Sequence, residues 1–208
     1  MNKNWKKLGV VLKKNRAQLP TVSKIAGELY LVYSDRDADG RSFGQMQKFK
    51  INGERFLFAS DAQKTILPGV AGSLDVAGVM PMQIVGDYMY YIGWTLREDV
   101  PYFNYTCVAR LVKGEAEKLG PILSPCVVDN GYSGTFNVVW CNQRSCYLGF
   151  YLSGVGWETD ENGDLQPKYD IKIATSTNLV NWEKTGLTAI KLMKDEAGLS
   201  SATVRKVG

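Results

Sequence analysis

The string Asp35-Arg36-Asp37 sets a guanidinium between two carboxylates, and Arg41 repeats the cation shortly after. Such an ionic cluster is rigid and suited to hydroxyl groups or an anion, because guanidinium and carboxylate pair through fixed, directional hydrogen bonds. The same residues also spell a turn, since Asp37-Ala38-Asp39-Gly40 has the composition of one. Asp75 stands just before an apolar run, where it either caps the turn at Ala71-Gly72-Ser73 or presents an acid beside that run. Trp94 and Trp157 each follow a glycine at the end of a tyrosine-rich run. An indole so placed is either core or a flat platform for a ring. Tyr102, Asn104 and Tyr169 lie in loops or at strand starts near these tryptophans, as hydrogen-bond donors or as packing groups. Glu158 opens an acidic stretch that includes Asp160 and Asp164; it belongs to a solvated loop, or serves as a general acid beside the Trp157 platform. Histidine is absent, so any catalysis must run on carboxylates, tyrosine, lysine or cysteine.

The elements that must position these residues are strands. Leu19 to Gly27 leads into Glu28 to Ser34, Met80 to Gly86 into Tyr88 to Trp94, and Phe136 to Cys141 into Tyr147 to Gly154. Each pair reads as an apolar strand, a polar or glycine turn, and a second strand rich in tyrosine and β-branched residues. Two further strand-like runs follow each hairpin: Ser42 to Lys50 and Arg55 to Ala59, Tyr105 to Val112 and Lys118 to Leu123, Tyr169 to Ser176 and Val180 to Lys184. Four antiparallel strands recurring at about 55 to 66 residues are the pattern of β-propeller blades. The predicted fold is therefore all-β, a single domain over 1–208 with units at about 17–67, 78–123 and 132–186. The stretch 199–208 is predicted to open a fourth unit. A β-sandwich with long loops is the competing arrangement, and the absence of helical periodicity argues against an α/β fold. Three blades and one strand do not close a ring, so the chain is expected either to lack C-terminal blades or to complete its core as a homo-oligomer.

The chain has 208 residues and a net charge of +4, from 25 basic and 21 acidic residues, too even a balance for a nucleic-acid footprint. The dense basic stretch from Lys3 to Arg16 flanks the apolar run Leu8 to Leu12 and reads as a short edge strand. No apolar run reaches transmembrane length, so no membrane partner is expected. The four cysteines, Cys107, Cys126, Cys141 and Cys146, form no C-x-x-C pair, which argues against a zinc site. Cys107 and Cys141 sit in apolar patterns as core thiols, whereas Cys141 and Cys146 flank a turn and could pair in an oxidising compartment. Reduced thiols go with a cytoplasmic location. No metal or cofactor is expected.

Several strings, in order, resemble the five-bladed propeller superfamily of arabinanases, xylosidases, invertases and related glycosidase-like proteins. They are Tyr33-Ser34-Asp35-Arg36-Asp37 with Gly40-Arg41-Ser42, Leu67-Pro68-Gly69 with Leu74 to Pro81, Tyr90 to Trp94 with Val100 to Asn104, Gly120 to Leu123, Tyr151 to Trp157, and Tyr169 to Ser176 ending in Asn181-Trp182. Among that superfamily the chain most resembles glycosidase-like domains of polysaccharide clusters and the N-terminal domain of glucosamine inositolphosphorylceramide transferases. The resemblance implies a sugar pocket at the propeller axis, with Asp75 and Asp37 or Asp35 as catalytic carboxylates and Glu158 as a displaced acid. It also implies a carbohydrate ligand held by Arg36, Arg41, Trp94, Tyr102, Asn104, Trp157 and Tyr169. Glycoside cleavage needs one carboxyl to protonate the leaving oxygen and another to attack or activate water. The first and third inner strands, Leu19 to Ile25 and Phe136 to Cys141, carry no acid. That departure favours the alternative of a non-catalytic sugar-binding module, while the incomplete ring gives weight to a structural assembly unit.

Overall fold

A computed structural model describes residues 7, 9–14, 16–123, 132–194, 196 and 198–204, and within them the regular structure is all strand. The first blade comprises β1 (Gln18–Ile25), β2 (Glu28–Arg36), β3 (Ser42–Asn52), β4 (Arg55–Phe58) and β5 (Gln63–Ile66). Here the outer strand is split, because β4 and β5 pair with opposite ends of β3. The second blade is the meander β6 (Gly78–Val85), β7 (Tyr88–Thr95), β8 (Phe103–Val112) and β9 (Glu115–Pro121). The third is β10 (Ser133–Cys141), β11 (Cys146–Thr159), β12 (Leu165–Ser176) and β13 (Glu183–Ile190). A single parallel pairing, Ser42 with Gly78, joins the first two blades into one nine-stranded sheet.

Successive residues of a strand point to opposite faces, and in the second blade both faces are buried. Met89, Tyr91, Cys107 and Ala109 pack against Val32, Met46 and Ile66 of the first blade. Tyr90, Ile92 and Val108 pack against Phe136, Val138, Tyr151 and Ala174 of the third. Two buried faces explain why Tyr88-Met89-Tyr90-Tyr91-Ile92 is apolar throughout rather than alternating. Face-to-face stacking of this kind is the packing of propeller blades.

The inner strands β1, β6 and β10 lie side by side. The Ile84 N–H donates to Ser23 Oγ at 3.4 Å. Gln83 clasps Val138 from both sides, its Nε2 donating to the Val138 carbonyl at 3.1 Å and its Oε1 accepting from the Val138 N–H at 2.6 Å. Residues 199–204, predicted to begin a fourth blade, form no strand but run along β10. There the Thr135 hydroxyl donates to the Ser200 carbonyl at 3.0 Å, and the Val204 N–H donates to Asn137 Oδ1 at 3.0 Å. Residues 205–208 lie outside the described residues.

The basic N-terminal segment, read as an edge strand, forms none in its described residues. Leu12 and Ala17 instead pack on the outer face of the first blade, over Leu31, Tyr33 and Phe49. Lys14 donates to Asp35 Oδ2 at 2.9 Å and to Gln45 Oε1 at 3.1 Å. Side-chain bonds to the sheet replace backbone pairing there. Cys107, Cys141 and Cys146 are free thiols, and burial pushes the Cys107 thiol up to about 12, as suits an inert core group. Cys141 and Cys146 are register partners in the β10–β11 hairpin without being bonded. Cys126 lies outside the described residues. Among the described residues no helix is long and apolar enough to cross a membrane.

Candidate functional site

The inner strands and the strand ends beside them enclose a cleft of about 930 Å³. Leu19 of β1, Met80 of β6, Thr135 of β10 and Leu199 of the following segment line it from the inner strands. Leu19 holds φ at 49° where the β1–β2 register slips, a conformation that costs a non-glycine residue energy and re-aims the strand. Of the side chains expected at a site, Arg36, Trp94, Tyr102, Asn104, Glu158 and Tyr169 all line this one cleft. They come from all three blades.

Arg36 ends β2, with its Nη1 donating to the Gly40 carbonyl at 2.8 Å and its guanidinium 5.4 Å from the centre of the Trp94 ring. Trp94, next to last in β7, is tethered by a 2.7 Å bond from its Nε1 to Ser42 Oγ. Gly78 makes that tether possible. Its φ is 154°, and a Cβ there would meet the Ser42 side chain and backbone and lie 2.5 Å from Trp94 Nε1. Beside Trp94, as its register partner on β8, Asn104 places its Nδ2 3.5 Å from the Tyr169 hydroxyl of β12. Burial pushes the Tyr169 and Tyr102 hydroxyls up, so both remain neutral donors at any ordinary pH. Trp157 does not line the cleft; its ring sits edge-on to Tyr102 at 5.3 Å.

The acidic stretch after Trp157 is not a free loop. Strands β11 and β12 continue their ladder past a register shift at Gly156, pairing Glu158 with Gln166 and Thr159 with Leu165. This long hairpin overhangs the cleft and adds Gln166 and Lys168 to its lining, neither of which stands out in the sequence. Polar residues and the bulge at Gly156 mask the alternation that would have revealed the strand there. Glu158 Oε2 lies 3.4 Å from Lys168 Nζ, with the Glu158 side chain 71% exposed. Asp160 closes the hairpin, accepting from the N–H groups of Asn162 and Asp164 and from Gln166 Nε2. Those bonds, led by the one from Asp164, hold its carboxyl below the usual value.

The remaining candidate acids lie elsewhere. Asp75 is buried at 6% exposure, its Oδ2 2.6 Å from Lys118 Nζ and its Oδ1 accepting from Ser73 at 3.0 Å. It does not line the cleft. Asp37 accepts from the Arg41 backbone N–H at 2.8 Å and from Arg41 Nε at 3.2 Å, closing the turn 37–41. Arg41 and Asp37 thus stabilise a turn and are absent from the cleft lining. Asp35 faces Lys14 at 2.9 Å on the outer side of the first blade. Burial alone would raise its carboxyl, but the Lys14 ammonium and the Arg36 N–H outweigh that and hold it below the usual value. Among the described residues no cluster of three or more histidine, cysteine, aspartate or glutamate side chains could hold a metal ion.

No family model matches the chain. It is similar to a protein of Mycobacterium tuberculosis carried as uncharacterised in two strains, at 30% identity over 195 residues. That match takes in 86% of this chain and 64% of the relative, so the chain spans less than two thirds of its curated relatives' length. Among solved structures, a glycoside hydrolase superposes at a TM-score of 0.57 and a protein solved as an RGII complex at 0.56, both at 16% identity. Each covers 90% of this chain, which in turn spans 59% of theirs. A member of the GH130 family of mannoside phosphorylases and glycoside hydrolases superposes at 0.51, with 17% identity over 86% of this chain and 52% of its own. The chain thus has the fold of glycoside hydrolase-like proteins.

Proposed function

We propose that the chain is a glycoside hydrolase-like, carbohydrate-handling propeller that holds a glycan in the cleft among its inner strands. One observation carries this: an indole, two tyrosines, an amide and an arginine from separate blades meet in a single cleft. Its volume is in the range of small-molecule sites. Flat aromatic faces take the apolar face of a pyranose, while neutral hydroxyl and amide donors take its hydroxyl groups. The fold shared with glycoside hydrolases supports the reading, as does the neighbour solved as an RGII complex.

Turnover is the second reading, and the position of Glu158 favours it. This carboxylate lines the cleft, within reach of a ligand held there, with Lys168 3.4 Å away. Its partner among the lining acids, Asp160, sits on the same hairpin, so the two do not flank a bound ring from opposite sides as a cleaving pair must. Binding is therefore the function the geometry supports best. In the same reading, the cleft is completed by another copy of the chain, and the free thiols go with a reducing cytoplasm.

The test is a binding screen against immobilised plant and bacterial polysaccharides, comparing the parent with Trp94→Ala. Removing the stacking face should weaken the best glycan at least tenfold, about 1.4 kcal/mol. A parent that binds no glycan overturns the proposal. For turnover, Glu158→Gln should abolish any hydrolysis the parent shows; unaltered rates would exclude Glu158 as the acid. Light scattering on the purified chain checks self-association, which a monomer would refute.

A further inference from the structure

We infer that the cleft selects an acidic glycan, with Arg36 receiving the carboxylate of a uronic acid unit; this rests on the glycan-binding reading above. The cleft is lined by two cations, Arg36 and Lys168, and two carboxylates, Glu158 and Asp160. Lys168 is matched by Glu158 at 3.4 Å, and Asp160 is occupied by its own hairpin turn. Arg36 has no such match. The acids beside it in sequence are turned to other cations, Asp35 to Lys14 at 2.9 Å and Asp37 to Arg41 at 3.2 Å. Among the described residues no carboxylate forms an ion pair with the Arg36 side chain.

A half-buried guanidinium without a counter-charge is costly, and the cost is recovered when a ligand brings the anion. This guanidinium is held by the Nη1 bond to the Gly40 carbonyl and by the Trp94 ring, whose centre is 5.4 Å away. Its remaining N–H donors form a planar fork, which fits the two oxygens of a carboxylate. One unmatched positive charge also suits a singly charged carboxylate better than a phosphate monoester, which carries nearly two negative charges. Asn104, the register partner of Trp94, and Tyr169 are left for the hydroxyl groups of the same ring or its neighbour.

The experiment is a binding assay with polygalacturonate, glucuronoxylan and alginate, each beside its carboxyl-reduced form, with arabinan and mannan as neutral polymers and dextran sulfate and phosphomannan as other anions. The expected result is binding to at least one uronate polymer that falls about ten- to a hundredfold on carboxyl reduction, the loss of one charged hydrogen-bonded pair. Arg36→Gln, checked for folding by its melting curve, should bind the acidic form no better than the reduced one. Arg36→Lys should keep part of the preference, because it keeps the charge without the fork. Equal binding of acidic and reduced forms, a preference that survives Arg36→Gln, or binding confined to the sulfated or phosphorylated polymers overturns the inference. Binding to neutral polymers alone leaves the glycan-binding reading standing and this inference refuted; binding to none refutes both.

Discussion

The Asp75 carboxylate is 2.6 Å from Lys118 Nζ and almost closed to solvent, so it is spent on joining the loop before β6 to the outer strand β9. Asp75→Asn should destabilise the protein by about 1–3 kcal/mol, since it leaves Lys118 without its partner. Urea unfolding measures this, and glycan affinity in the folded protein should not change. An Asp75→Asn protein of unaltered stability but lost turnover would return the residue to the chemistry. Asp35 and Lys14 make a pH prediction with two signs. The Asp35 carboxyl is held below its ordinary value of 3.8, so its contribution is present above that pH and lost as pH falls through the folded value. The Lys14 ammonium is raised above 10.5, chiefly by the Asp35 bond and despite burial, so its contribution is present below that pH and lost as pH rises through the folded value. Melting temperature against pH should fall at both extremes, and Asp35→Asn should flatten the acid limb.

At the scale of elements, Gly78 links the first two blades to the cleft. Gly78→Ala should lower the melting temperature and weaken glycan binding together, because a Cβ displaces the Ser42–Trp94 bond. The change in environment should register in tryptophan fluorescence. The blades themselves were legible in the sequence because strands such as β7 follow their turn with dense tyrosine and β-branched residues, a local signal. The split outer strand of the first blade is half legible: the β4 run reads as a strand and the short β5 does not, since four residues bounded by polar turns carry little pattern. Part of the candidate set was legible as neighbours in one cleft, and none of it as roles. Arg36, Trp94, Tyr102, Asn104 and Tyr169 converge as their types suggested, but whether Asp37 faces a ligand or Arg41 depends on side-chain partners that no spacing encodes. Lys168 and Gln166 carry no signal in the sequence for a related reason, because their place depends on how far β11 and β12 remain paired.

At the scale of the whole molecule, the chain contains no histidine. Glycan binding should therefore vary by less than about twofold between pH 5.5 and 8, since no side chain of ordinary pKa titrates there. Titration by calorimetry across that range checks it. The blades share their cores pairwise, with Tyr90 of the second blade also donating to the Leu179 carbonyl of the third at 2.8 Å, so they should unfold in one transition. The middle blade, pressed on both faces, has an evolutionary consequence. Every side chain of β7 from Tyr88 to Ile92 belongs to one shared core or the other, leaving that stretch little freedom to drift. The overhanging part of the β11–β12 hairpin, from Glu158 to Lys168, belongs to neither of these cores, so apart from Asp160, which closes its turn, its side chains can be exchanged at little cost to the fold. New ligand preferences would then arise by rewriting that overhang, while the walls beneath it stay as they are.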